Sequence, residues 1–378
     1  MLRQLVCCLA LPAMLLCGAQ ARAEAGVEAD EVLLGMVNAQ TGLAAGLGQG
    51  MRDGAQAYFN RVNAAGGVHG RRLTLVVRDD GYEPSRTARL TEELIDSRSV
   101  FALFGYVGTP TSRAAMPVAQ AAGVPYLFPL SGAEVLRNPP HHWVFNVRAS
   151  YFAESELLVK HMTEALQLKR VALLMQDDSF GETVKGGLVA AMAKRGLQVE
   201  AEARILRNSL EVGAAVAQLR AVQPEAVFFV GTYRQLARAM SEARAQGIQA
   251  RFFSVSFVGT ERLIAEAGAE ADGVYISQVV PSPEDASLRL VRDYQKDMRG
   301  TLGYASLEGY IGAAVLVEAL RRAGPQVDRG RLVKALQSLD INLGGFPVRF
   351  GPNDHQGSDA VYLTRVERGR AVPVAVGR

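Results

Sequence analysis

Short all-apolar runs rich in β-branched residues recur along this chain, separated by stretches whose apolar positions repeat at helical spacing. The first run, 32–37, predicts a buried strand. Residues 38–50 are rich in Gly and Ala and read as a loop. Residues 51–62 predict a helix with Ala55, Tyr58, Phe59 and Val62 on one face, ended by Gly66-Gly67. A second strand at 73–77 runs into Asp79-Asp80-Gly81, a turn signal, and Glu83-Pro84-Ser85 opens a helix to about 96. Strands are predicted again at 100–104, after Gly123-Val124-Pro125, and at 143–147, with a helix between the first two.

The same alternation then restarts. A helix over 152–166 precedes a strand at 171–174, and further strands follow at 197–203, 226–230, 252–255 and 274–277. Helices over 180–194, 211–221 and 233–246 lie between them. Short apolar strands alternating with helices predict parallel sheets covered on both faces, so the fold class is α/β with two such units. Beyond Pro281 come helical stretches near 285–299, 305–323 and 328–337, then short strands at 348–350, 361–366 and 371–376. The joining segment, Phe145-Asn146-Val147-Arg148, is strand-like and predicts a stiff crossover rather than a flexible linker. The expected organisation is a leader at 1–23, a first lobe of 24–147 plus 281–343, and a second of 148–280 plus 344–378. Ligands of open parallel sheets sit outside the strands' carboxyl ends, so two sheets facing each other make one shared cleft.

At 378 residues the chain exceeds one small core, and 49% hydrophobic with 21% charged residues is a globular composition. The formal charge is only +3, and the basic residues are scattered, which argues against a nucleic-acid partner. All three cysteines, Cys7, Cys8 and Cys17, lie at the N-terminus, so the body has no thiol chemistry, disulfide or cysteine-ligated metal. Arg3, the apolar run 5–16 and Ala21-Arg22-Ala23 form the charged, apolar and cleavage regions of an export signal. The run is too short to span a bilayer, which needs about 20 residues. Cleavage after Ala23 would start the mature chain at Glu24 with 39 basic and 38 acidic residues, outside the cytoplasmic membrane. Lipid attachment at Cys17 is less favoured, because Leu16 before it is bulky.

Catalytic motifs are missing. Gly46-Leu47-Gly48-Gln49-Gly50 lacks the third glycine of a dinucleotide loop, having Met51 there. There is no phosphate loop and no nucleophile elbow. The five histidines have no partner at helical spacing and read as surface-loop residues. No cofactor, metal site or catalytic residue is expected.

Several motifs together carry a resemblance. They are Gly66-Gly67-Val68-x-Gly70-Arg71-x-Leu73, Asp79-Asp80-x-x-x-Pro84, Phe104-Gly105-x-x-Gly108-Thr109-x-x-Ser112, Gly123-Val124-Pro125 and Asp177-x-x-Phe180-Gly181. Over essentially all of 31–378 the chain resembles the periplasmic leucine/isoleucine/valine-binding proteins. The resemblance implies a type I periplasmic-binding-protein fold, two Rossmann-like lobes joined by three crossovers. It also implies a small ligand trapped between the lobes and handed to an ATP-driven membrane permease by a monomer.

The resemblance places ligand contacts on loops at strand ends: Leu47, Gly108, Thr109, Ser112, Ser131, Gly132, Tyr151, Phe180, and Thr232 or Tyr233. The residues themselves fit one such role. Thr109-Pro110 reads as a helix start, whose free N–H groups suit a carboxylate, although Thr109 would equally serve as a plain cap, and Pro117 implies a kink or a later start. Amino-acid binders of the family hold the α-ammonium with a glutamate, but the matching stretch here, Ser254-Val255-Ser256-Phe257, has no acid. Ser256 stands in that place, and Glu308 is the candidate substitute acid. The ligand is therefore expected to be an amino acid or a related acid or amide. A ligand-sensing receptor subunit is an alternative to a transport protein, and an exported enzyme on this fold is a third reading.

Overall fold

The computed structural model describes residues 24–375. The leader and cleavage site expected at 1–23 lie outside them. Eight elements build the first unit: β1 (Glu31–Asn38), α1 (Ala45–Ala64), β2 (Arg72–Asp79), α2 (Pro84–Asp96), β3 (Ala102–Phe104), α3 (Thr109–Ala121), β4 (Tyr126–Leu127) and β5 (Val144–Phe145). The second unit holds α4 (Tyr151–Lys160), β6 (Val171–Gln176), α5 (Ser179–Ala193), β7 (Val199–Ile205), α6 (Gly213–Leu219) and β8 (Ala226–Val230). It continues with α7 (Tyr233–Ala245), β9 (Arg251–Ser254), α8 (Thr260–Ala267) and β10 (Tyr275–Gln278). The chain then returns through α9 (Arg289–Asp297), α10 (Tyr304–Ala323), α11 (Arg329–Gln337), β11 (Asp340–Asn342) and β12 (Pro347–Arg349). It finishes with β13 (Tyr362–Glu367) and β14 (Arg370–Pro373).

The first sheet has the order β2-β1-β3-β4-β5, all parallel. The second repeats it as β7-β6-β8-β9-β10 and adds β13 and β14 antiparallel at the edge. β6 is buried at every position and so is β8, as strands covered by helices on both faces must be. In each sheet the order reverses beside its first strand, between β1 and β3 and between β6 and β8. A crevice opens there at the strands' carboxyl ends.

The chain crosses between the sheets three times, after β5, after β10 and after β12. The expected lobe boundary at 343/344 falls inside the β11–β12 hairpin. Phe346, Val348 and Phe350 pack with Phe104, Phe128 and Phe145, so the chain stays on the first core beyond that point. His355 also stays there, stacked on Phe145 with ring centroids 3.9 Å apart. His355 and His161 are buried, not surface residues as the sequence suggested.

Two predicted elements differ. Residues 45–50 are the first turns of α1, not loop. Their glycines are there for close approach: a Cβ at Gly48 would lie 1.8 Å from the Ala39 carbonyl oxygen. Helix α8, absent from the sequence reading, follows Gly259, whose φ of 81° is left-handed. Among the described residues no helix is long and apolar enough to cross a membrane.

Candidate functional site

The two crevices face each other, and the loops at their rims bring the candidate residues together. After β3, Gly105 and Gly108 both have positive φ, and a Cβ at Gly108 would sit 2.3 Å from the Tyr82 ring. Only glycine fits that turn. It delivers Thr109 as the first residue of α3, with Pro110 next. Thr109 Oγ1 and Ser131 Oγ lie 2.9 Å apart, both buried. Ser112 is one turn further on, its N–H bonded to Gly108 O. Helix α3 runs from Thr109 with Pro117 inside it, so the helix does start at the candidate residue. Gly132 lies under Tyr151, where a Cβ would stand 2.7 Å from the ring, and Tyr151 N–H donates to Gly132 O.

Tyr151 continues into an aromatic wall. Its ring centroid is 5.3 Å from Phe180, Phe180 is 4.6 Å from Phe257, and Phe257 is 5.9 Å from Tyr82 of the opposite unit. Burial pushes the Tyr151 hydroxyl up to about 12.

At the base of the cleft a small cavity is lined by Leu47, Arg148, Ser256, Gln278, Tyr304 and Glu308. Three candidates from the sequence, Leu47, Ser256 and Glu308, meet here. The sequence reading missed Arg148, which is 1% exposed. Its Nη2 donates to Glu154 Oε1 at 3.0 Å and to Ser256 Oγ, and its Nη1 lies 3.6 Å from Glu308 Oε1. Glu154 Oε2 accepts from Ser256 N at 2.8 Å and Ser277 Oγ at 2.7 Å. Burial alone would depress the Arg148 guanidinium, but Glu308 and Glu154 outweigh it and raise it above the ordinary arginine range. Burial pushes the Glu308 carboxyl up to about 7, only partly opposed by Arg148. Arg137 donates to the carbonyls of Ala133 and Arg148, tying this cluster to the Ser131 loop. A charged residue in a strand-like junction was the one signal of this site in the sequence, because buried cations require carboxylate partners.

The remaining candidates stand at the rim. Thr232 opens α7, and its N–H and hydroxyl both donate to Gln235 Oε1, so its hydroxyl is spent on the helix cap. Tyr233 Oη accepts from Gly46 N–H at 3.3 Å, bridging the units beside Leu47. Further bridges flank the cleft. Asn208 Nδ2 donates to Gly81 O and Glu83 Oε1, and Arg207 pairs with both Glu83 and Asp178. On the other side Glu261 accepts from Tyr304 N–H at the start of α10. No group of three or more metal-ligating side chains occurs among the described residues.

A family model described as periplasmic binding protein matches residues 31–371. The chain belongs to the periplasmic binding protein family. One similar solved structure is a possible leucine/isoleucine/valine-binding protein from Rhodopirellula baltica SH 1, 35% identical. It has a TM-score of 0.87, covering 92% of this chain and 97% of that one. An amino acid binding protein of Pseudomonas aeruginosa is 26% identical over 59% of this chain and 60% of that protein. The leucine-, isoleucine-, valine-, threonine- and alanine-binding protein of the same organism is 21% identical over 82% of this chain and 83% of that protein. This binding protein thus has the type I fold expected from its strand order and is a solute-binding protein of the Leu/Ile/Val-binding type, a family of binders and not of enzymes.

Proposed function

We propose that this protein is an exported receptor that captures a small carboxylate-bearing solute between its lobes and delivers it to an ATP-driven membrane permease. The observation that carries this reading is the pairing of the Thr109 and Ser131 hydroxyls at the start of α3, buried at the switch point of the first sheet. Free N–H groups and the positive end of the helix dipole favour a carboxylate there. The crossover's Tyr151 stands against Gly132 beside Ser131, and the second unit's Phe180 packs on Tyr151. The ligand contacts are Leu47, Gly108, Thr109, Ser112, Ser131, Gly132, Tyr151 and Phe180, with Ser256 and Glu308 at the cavity floor. The names of the relatives and of the family support an amino-acid-like solute and a periplasmic location.

The test is thermal unfolding of the protein, first unfolded and refolded to strip carried ligand, against amino acids, their deaminated acids and small amides. A binder at 100-fold over its Kd adds about 2.7 kcal/mol to stability, a plain shift in Tm. No shift with any carboxylate would overturn the reading. For delivery, the liganded protein is expected to stimulate ATP hydrolysis by its reconstituted permease. Mass spectrometry of the exported chain is expected to give Glu24 as its first residue.

A further inference from the structure

Every carboxylate of the cavity is already engaged by the protein's own cation. Glu154 spends one oxygen on Arg148 and the other on Ser256 N–H and Ser277 Oγ. Glu308 faces Arg148 at 3.6 Å. Of the other acids around the cleft, Asp178 is taken by Arg207 and Phe180 N–H, Glu261 by the α10 start, and Glu134 stands beside the Arg137 guanidinium. An ammonium entering the cleft would find no free carboxylate and would meet a guanidinium. Burying an unpaired charge costs several kcal/mol.

The atoms left without partners point to what does fit. Arg148 Nε is buried and makes no hydrogen bond, and the guanidinium lies 5.6 Å from the ring centroid of Tyr151, whose hydroxyl stands beside Ser131. Both can donate. Gln278 Oε1 is likewise buried and unpartnered. The Thr364 hydroxyl donates to Ile276 O and so accepts from Gln278 Nε2, which fixes the amide with its oxygen toward the cavity. That oxygen can take a hydroxyl. Arg148, Arg137 and Glu154 all face Glu308, whose carboxyl burial raises to about 7, and Glu134 stands beside Arg137.

We propose that the cleft selects a small monocarboxylate without an α-ammonium, a 2-oxo, 2-hydroxy or aromatic acid, with Arg148 and Tyr151 as its specificity-determining residues. This rests on the reading of the cleft as a carboxylate receptor. The bound anion comes close to Glu308, which Arg148, Arg137 and Glu154 also face, so binding draws a proton onto that carboxyl and weakens as the pH rises.

Calorimetry on the stripped, refolded full chain tests this with matched sets: phenylalanine, phenylpyruvate and phenyllactate, and leucine with its 2-oxo and 2-hydroxy acids. At pH 6 an acid of at least one set is expected to bind at least about tenfold more tightly than its amino acid. Its affinity should fall about tenfold between pH 6 and pH 8, as linkage to one group titrating near 7 requires. Glu308→Gln should flatten that pH profile. Arg148→Met should abolish acid binding, and the Glu308 variant carries the test if the arginine variant does not fold. An amino acid binding as tightly as its deaminated partner, or an unchanged pH profile in Glu308→Gln, overturns the proposal and leaves the receptor function standing. No binding by any member at about 1 mM overturns both.

Discussion

Thr109 and Ser131 show how one pair of hydroxyls can be both structure and site. Each is buried, and each satisfies the other at 2.9 Å. A carboxylate at the α3 start would accept from both while their mutual bond is given up, a small exchange set against the helix N–H groups it gains. Thr109→Val and Ser131→Val are each expected to weaken a carboxylate ligand by about 1–3 kcal/mol, read by calorimetry. Unchanged affinity in both variants removes them from the site. Arg148 works at the same scale by a different rule. Its charge is tolerated in the core only because two carboxylates and a serine surround it, so its role cannot be separated from Glu154, Ser256 and Glu308.

Helices α1 and α10 carry the first lobe's side of the cleft, and their packing sets its geometry. Helix α10 is buried at nearly every position from Tyr304 to Leu320. It meets α1 through glycines: a Cβ at Gly54 would lie 1.7 Å from Ser306 O, and one at Gly309 would lie 2.3 Å from Met51 O. Backbone at that distance cannot yield as a flexible side chain would. Gly54→Ala is expected to destabilise the protein by roughly 3 kcal/mol, seen as a lower urea midpoint. Because the same helices present Leu47 and Glu308, it should also weaken ligand binding. A variant with wild-type stability would show that the helices part without cost. Propensity disfavours three glycines in the first two turns of α1, but close approach needs them: Gly46 to Arg262, Gly48 to the Ala39 carbonyl and Gly50 to Ala305 of α10.

Closure of the whole molecule rests on bonds that cross between units. Glu83, from the first, takes both Arg207 and Asn208 of the second. Glu83→Ala is expected to shift the lobes toward opening and lower ligand affinity several-fold, about 1 kcal/mol, with the loss smaller at low salt-bridge occupancy in high salt. Wild-type affinity and salt response would exclude this latch. Stability against pH is a second property of the whole. Burial raises Asp80 to about 6 and both Glu261 and Glu308 to about 7, above ordinary values of 3.8 and 4.5. The folded state holds those protons more tightly than the unfolded one, so this contribution is full below about pH 4 and is lost as pH rises to about 7. Burial opposes ionisation at Asp79, Glu156, Glu202 and Glu225, most strongly at the first three, but hydrogen bonding depresses all four, and their contribution is lost instead as pH falls below the ordinary range. The urea midpoint is therefore expected to peak near pH 5 and to decline toward pH 7.5, and Glu261→Gln should flatten that decline. A midpoint that rises from pH 5 to 7.5 would contradict it.

The periodicity of apolar residues determined the two parallel sheets, since a strand covered on both faces must be apolar throughout, as in β6 and β8. Gly108-Thr109-Pro110 likewise announced a helix start at a strand end, because those conformational preferences are local. What depends on distant partners was not legible. Residues 45–50 became helix where Arg262, Ala39 and Ala305 lie close against their glycines. The expected second lobe boundary ignored Phe350, whose place on the first core is set by Phe128 and Phe145. Arg148 could be read only as the one charged residue of a strand-like junction. That it stands between Glu154 and Glu308, residues far apart from each other in the chain, was decided by the tertiary structure, because a buried charge takes its meaning from whatever the fold brings within a few ångströms of it.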